Sequence, residues 1–139
     1  MAHYGFYFDA ESCIGCHTCQ VACKDTHDLP VGVNRRIVRS FCTGEGFAPR
    51  IYHVSLSTAG CNLCADLREM GEQAACVAAC PQRALELGDV DELRARHEVA
   101  GEQLSDHCAA IGLDEMHNKH FIMRVKDCMM DPDFDEFII

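Results

Sequence analysis

Eight of the eleven cysteines in this 139-residue chain fall in two short runs. The first, CIGCHTCQVACK over residues 13–24, spaces Cys13, Cys16, Cys19 and Cys23 by two, two and three residues. The second, CNLCADLREMGEQAACVAACP over residues 61–81, spaces Cys61, Cys64, Cys76 and Cys80 by two, eleven and three, and ends on Pro81. Thiols this close together are metal ligands once deprotonated, because the thiolate is the soft donor. Two C-x2-C pairs could close a tetrahedral zinc site, which takes four ligands. The first run, however, places a third and a fourth thiol where such pairing has no use for them. Disulfides are the other rival, and they belong to oxidising compartments. Cys42, Cys108 and Cys128 stand outside both runs and read as buried thiols that pack as small hydrophobes.

The elements that must position these thiols are short. Tyr4, Phe6 and Phe8 alternate with His3, Gly5 and Tyr7, and this period of two predicts a strand just ahead of the first run. Residues 35–42 and 50–57 read as extended, and GEGFAP between them carries turn residues, so a hairpin is expected. RALELGD after Pro81 reads as a further short strand. Asp89 with Glu92 resembles a capping box, and Val90, Leu93 and His97 fall on one face of the helix it would open. Leu104, Cys108 and Ile111 recur at helical spacing, with Gly112 as a stop. HFIMRV, residues 120–125, reads as the last strand. The fold class is α+β, and the length fits one domain.

The rest of the composition excludes more than it assigns. Twelve Lys and Arg stand against 22 Asp and Glu, a formal charge of −10. That sign is wrong for a nucleic-acid partner, which needs a basic face. It suits docking on a basic protein patch, and it serves solubility equally well. No apolar run approaches the roughly 18 residues that a membrane span needs, so no direct membrane insertion is expected. No signal peptide is visible, and the expected location is the cytoplasm unless the chain is exported with a signal-bearing partner. No dinucleotide fingerprint, phosphate loop or Ser-His-Asp order is present, and no catalytic residue is assigned. His17, inside the first run, is a candidate to tune a bound centre by hydrogen bonding. His117 and His120 read as solvated, and Met116, Met123, Met129 and Met130 as packing. The closing MMDPDFDEFII joins Met129, Met130, Phe134, Phe137, Ile138 and Ile139 to four acidic residues. It is expected to dock on a partner as an apolar anchor with a charged rim, the alternative being that it packs back on the domain.

The first run has the C-x2-C-x2-C-x3-C spacing of bacterial iron–sulfur ferredoxins, and this resemblance implies a 4Fe-4S cluster. A cubane offers four irons, each taking one thiolate. A loop with two-residue gaps can wrap three corners, and Gly15 eases the turn because it has no Cβ. In these ferredoxins the fourth cysteine serves the other cluster. The exchange implies that Cys13, Cys16, Cys19 and Cys80 hold cluster 1, and that Cys23, Cys61, Cys64 and Cys76 hold cluster 2. ADLREMGEQAA is then an excursion between two ligands of the second set. Pro81 follows Cys80 as the ferredoxin run expects, but Lys24 follows Cys23 in place of proline. With four thiolates each, both clusters are coordinatively closed and suited to passing single electrons.

CIGCHTCQVACKDTHDLPVGVNRR resembles the start of the iron–sulfur subunit of the dimethyl sulfoxide reductase family of molybdopterin oxidoreductases. CNLC, with CVAACPQRALELGDVDELRARH, resembles that subunit's last cysteine group and the segment after it. The family's subunit usually carries four cysteine groups and four clusters. Here only the first and last groups are present, the pair that exchanges ligands, and the middle insert expected between Ser57 and Cys61 is missing. The resemblance implies a bacterial dicluster ferredoxin-like domain over residues 1–98, with an added β-hairpin. A helical or extended C-terminal extension, residues 99–139, would pack on that domain or on a partner. It further implies two 4Fe-4S clusters and an electron-transfer subunit that is not itself an enzyme. The partner implied is a large molybdopterin catalytic subunit, with a membrane anchor or another redox protein as a second contact. A free dicluster ferredoxin with several partners would use the same chemistry. A non-redox scaffold braced by its clusters is the alternative of a different class.

Overall fold

The computed structural model of the chain describes residues 4–43, 50–58, 60–105, 108–111 and 121–137. Strand β1 (Tyr4–Asp9) leads to helix α1 (Thr18–Thr26) and strands β2 (Arg36–Thr43) and β3 (Arg50–Ser57). Short helices α2 (Ala65–Glu69) and α3 (Ala75–Ala79) follow, then strand β4 (Leu85–Asp89) and helix α4 (Val90–Val99). Strands β5 (Leu104–Ser105) and β6 (Phe121–Arg124), a 3-10 turn (Asp127–Met130) and strand β7 (Phe134–Phe137) complete the order. The turn expected over 44–49, together with Gly112, Met116, His117, His120, Ile138 and Ile139, lies outside the described residues.

One sheet has the order β4-β1-β6-β5. β1 is antiparallel to β4 and parallel to β6, so it is central. The one-sided alternation read from the sequence therefore gives way to burial on both faces, with Phe6, Tyr7 and Phe8 all 3% exposed or less. Phe6 and Phe8 face the main core, while Tyr7 packs with Val90, Leu93 and Ile122 beneath α4. His97 of α4 stacks on the Tyr7 ring at 3.6 Å, and its ring nitrogens reach the carboxylates of Glu102 and Glu86 at 2.5 and 2.7 Å. The Tyr7 hydroxyl donates to the same Glu102 carboxylate. Asp89 caps α4 by accepting from the Asp91 N–H at 3.0 Å, instead of forming the reciprocal pair with Glu92.

The second sheet has the order β3-β2-β7, all antiparallel. HFIMRV is thus not the last strand: its core becomes β6 inside the first sheet, and β7 follows it on the edge of the second. The closing segment packs back over its described part. Phe134 meets Phe41 edge-on at 5.8 Å, and Met129 is fully buried. Burying such side chains contributes about 1.5–3 kcal/mol each, which outweighs leaving them exposed as an anchor. Met130 alone of the described methionines at that end is exposed, at 41%.

The helix expected across Leu104, Cys108 and Ile111 is also corrected. Leu104 and Ser105 pair with Arg124 and Met123 as a strand. Cys108 and Ile111 then exchange backbone hydrogen bonds in a turn, and the Ala109 N–H reaches across to the Met129 carbonyl. Cys108 and Ile111 are buried, so the apolar spacing marked core positions without marking a helix.

Candidate functional site

The first cysteine run is a loop that leaves β1 and curls into α1. The Asp9 carboxylate anchors its start by accepting from the N–H groups of Glu11 and Ser12. Gly15 at φ +72° and His17 at φ +64° turn the chain left-handedly, and α1 then carries Cys19 and Cys23 inward. A Cβ on Gly15 would lie 2.5 Å from Nδ1 of His53, so backbone conformation and space both demand glycine there. The strand pair β2–β3 backs this loop with a polar inner face. His53 is fixed by Ser40 at 2.7 Å, the Val38 N–H donates to Gln20 of α1 at 3.0 Å, and the Ser55 hydroxyl lies 3.3 Å from the Cys19 sulfur.

The second run repeats the device. Leu63 and Cys64 adopt positive φ, and Asn62 accepts from the Cys64 N–H at 3.1 Å as α2 begins. Cys76 is buried on α3, and Cys80 caps its end. Backbone N–H groups turn toward sulfur in this run, Leu63 to Cys61 and Ala84 to Cys80, each at 3.4 Å. Helices α1 and α3 pack together, which brings the two runs side by side.

Cys13, Cys16 and Cys19 of the first run and Cys80 of the second line one cleft, partly open to solvent. Burial pushes the Cys13 thiol up to about 11, with the neighbouring charges of Cys19, Cys80 and Cys16 adding to it. Burial likewise pushes Cys23 up to about 11, and there the added charges are those of Cys76, Cys64 and Cys61. Cys76 is also raised by burial, partly offset by the Arg36 guanidinium. Cys16 differs, since the Thr18 hydroxyl at 3.1 Å and the Thr18 N–H hold it below the usual thiol range. Crowded thiols resist ionising together unless a cation joins them. Among the described residues no three His, Cys, Asp or Glu converge where a single ion would sit. An iron–sulfur cubane asks for something else: four thiols around a body, one to each iron, with N–H groups aimed at sulfur. The donor set and its surroundings fit that group.

Several neighbours of the thiols escaped the sequence reading. His17, the residue singled out for tuning, faces Gln20 at 3.4 Å, and its Nε2 is buried without a partner among the described atoms. His27 instead puts Nε2 at 3.2 Å from the Cys64 sulfur. Ser55, Thr18 and the buried Arg36 are the others. The period of two along Arg36, Val38 and Ser40 could have shown that Arg36 shares the inner face of β2. Cys108 and Cys128 are buried and Cys42 is half-buried.

Residues 4–25 match the model of a 4Fe-4S binding domain. The chain is 39% identical to the B subunit of the anaerobic dimethyl sulfoxide reductase of Haemophilus influenzae over 61% of its own length and 41% of the relative. It is 45% identical to the formate dehydrogenase iron-sulfur subunit of Wolinella succinogenes over 58% of its length and 34% of that subunit. It therefore spans between a third and a half of the length of these two relatives. With the B subunit of the anaerobic dimethyl sulfoxide reductase of Escherichia coli it shares 25% identity, over 77% of that protein. That alignment runs over 158 positions but uses only 68% of this chain, so the relative's matched segment contains residues with no counterpart here. In its 4Fe-4S binding domain and in more than half of its length, the chain is similar to the iron–sulfur subunits of reductase and dehydrogenase complexes.

Proposed function

We propose that this chain is an electron-transfer protein carrying two 4Fe-4S clusters, which relays single electrons to or from a molybdopterin-containing catalytic subunit. Cys13, Cys16, Cys19 and Cys80 would hold one cluster, and Cys23, Cys61, Cys64 and Cys76 the other. The cleft that Cys80 of the second run shares with Cys13, Cys16 and Cys19 carries the reading, because a fourth ligand lent to the neighbouring set is what two ferredoxin runs require. A cluster closed by four thiolates supplies one-electron chemistry and has no open iron for substrate. The protein's own groups set its energetics: the N–H of Leu63 and Ala84 and the hydroxyls of Thr18 and Ser55 approach sulfur and favour the more negative state. Residues 1–98 would form the dicluster domain with β2–β3 as its added hairpin, and 99–139 an extension that lends β6 and β7 to the two sheets.

Among the described residues no helix is long and apolar enough to cross a membrane. We place the chain in the cytoplasm, or wherever a signal-bearing partner carries it, and its contacts with a membrane anchor or another redox protein run through the complex. Anaerobic purification followed by metal and sulfide analysis tests the cluster content. The expected result is about eight iron and eight acid-labile sulfide per chain. Stoichiometric zinc without sulfide would end the reading. Co-purification of a large molybdopterin subunit tests the partner.

A further inference from the structure

We propose that Arg36 is a fixed cation beside the cluster of Cys13, Cys16, Cys19 and Cys80, one that makes an added electron there more favourable. The inference rests on the two-cluster reading above and extends it to a residue outside the ligand set. Arg36 opens β2, yet its side chain is among the most buried in the molecule at 2% exposure. Its Nη1 donates to the Ser55 hydroxyl at 2.9 Å, and that hydroxyl lies 3.3 Å from the Cys19 sulfur. This ties one end of the guanidinium to the first thiol group. The plane rests over the Phe6 ring at 4.3 Å.

The charge has no counterpart among the described residues. Nη2 is buried without a hydrogen-bond partner, and no described carboxylate pairs with Arg36. Arginine cannot escape burial by losing its proton. An uncompensated buried charge is strongly destabilising, so something nearby must balance it. The thiolates of Cys13, Cys16, Cys19 and Cys80 and the cluster they would hold are the anionic body that this contact points to. In a water-poor interior a cation at close range stabilises each further negative charge added beside it, and that lowers the cost of reduction.

The test is an anaerobic redox titration followed by EPR on the full chain, with Arg36→Gln and Arg36→Lys beside the natural protein. The reduction equilibrium of the cluster of Cys13, Cys16, Cys19 and Cys80 should fall about tenfold in Arg36→Gln, which is about 59 mV for one electron. The other cluster should fall less, and Arg36→Lys should lie closer to the natural protein. Should Arg36→Gln fail to load iron while Arg36→Lys loads normally, the need for the charge is shown by that rescue. Unchanged potentials in a loaded Arg36→Gln would overturn the proposal, as would equal failure of both variants, which would make the shape of the fork and not its charge the requirement. A natural protein free of iron and sulfide would overturn the two-cluster reading as well, whereas a loaded natural protein beside an unshifted variant removes the Arg36 inference alone.

Discussion

Of the four thiols gathered around Cys13, Cys16 is exposed, Cys13 and Cys80 are half-buried, and only Cys19 is buried. Around Cys23 the pattern reverses: Cys23, Cys64 and Cys76 are buried, and only Cys61 is half-buried. The cause lies in what covers each group. The outer group sits in a loop backed on one side by β2–β3, with Ile14 57% exposed at its lip. The inner group lies where α1 packs on α3. One sequence device, a short-spaced cysteine run opening a helix, thus produces two environments because each run is covered by different parts of the chain. For the proposed relay, the outer group is where another protein can approach. The inner group is where burial decides the potential.

Stripping iron should give the largest effect and test the contrast directly. With a chelator and reductant, iron should leave the outer group first and the inner group more slowly, giving two phases. The stripped chain should retain little of the roughly 5–15 kcal/mol typical of a domain, because crowded thiols do not hold themselves together. Circular dichroism should report loss of the fold. Iron leaving in a single phase would remove the distinction between the groups.

Gly15→Ala should follow in size. It combines left-handed strain of roughly 1–2 kcal/mol with about 1–3 kcal/mol for displacing His53, and should disturb the outer cluster's EPR signal. Gly71→Ala shares the positive φ but meets nothing within 4 Å, so it should cost only the strain of about 1–2 kcal/mol. Denaturant unfolding of the loaded proteins separates the two. Equal costs would mean that the contact with His53 is unimportant.

Glu102→Gln probes the contact of α4 with β1, made through His97 and Tyr7. Burial pushes the Glu102 carboxyl up, but the bonds from Tyr7 and His97 outweigh it and hold the group below its usual range. Its folded value is depressed, so its contribution is fully present above the ordinary carboxylate value of 4.5 and is lost as pH falls below that. The variant should cost about 1–3 kcal/mol at neutral pH and flatten that acid limb, while leaving both EPR signals as they were. Unfolding midpoints from neutral to acid pH check this. The smallest effect is expected from Glu136→Gln, which removes the forked pair with Arg39 that joins β7 to β2. Both groups meet solvent, so the same unfolding measurement should show less than about 1 kcal/mol.

How much of this was legible in the sequence depended on whether the signal was local. The cysteine spacing, the strand of Tyr4–Asp9, the two extended stretches and the cap at Asp89 depend on near neighbours, and each could be read. The failures were set by distant partners. Leu104 looked helical because apolar spacing cannot reveal a strand pairing with Phe121–Arg124. The closing segment looked like an anchor because nothing near Phe134 announces Phe41. His27 lies 37 positions from the Cys64 it contacts, so the nearer His17 drew attention instead. Arg36 was read past because an arginine in a strand is ordinarily solvated, although its alternation with Val38 and Ser40 sets it on the inner face of β2.

Exchange of the fourth ligands between the two runs is the central claim. The most direct measurement is anaerobic EPR of reduced Cys80→Ser and Cys23→Ser beside Cys13→Ser and Cys61→Ser. Ligand exchange predicts that Cys80→Ser alters the signal that Cys13→Ser alters, and that Cys23→Ser alters the signal that Cys61→Ser alters. If Cys80→Ser instead shares its altered signal with Cys61→Ser, each run serves its own cluster and the exchange is contradicted.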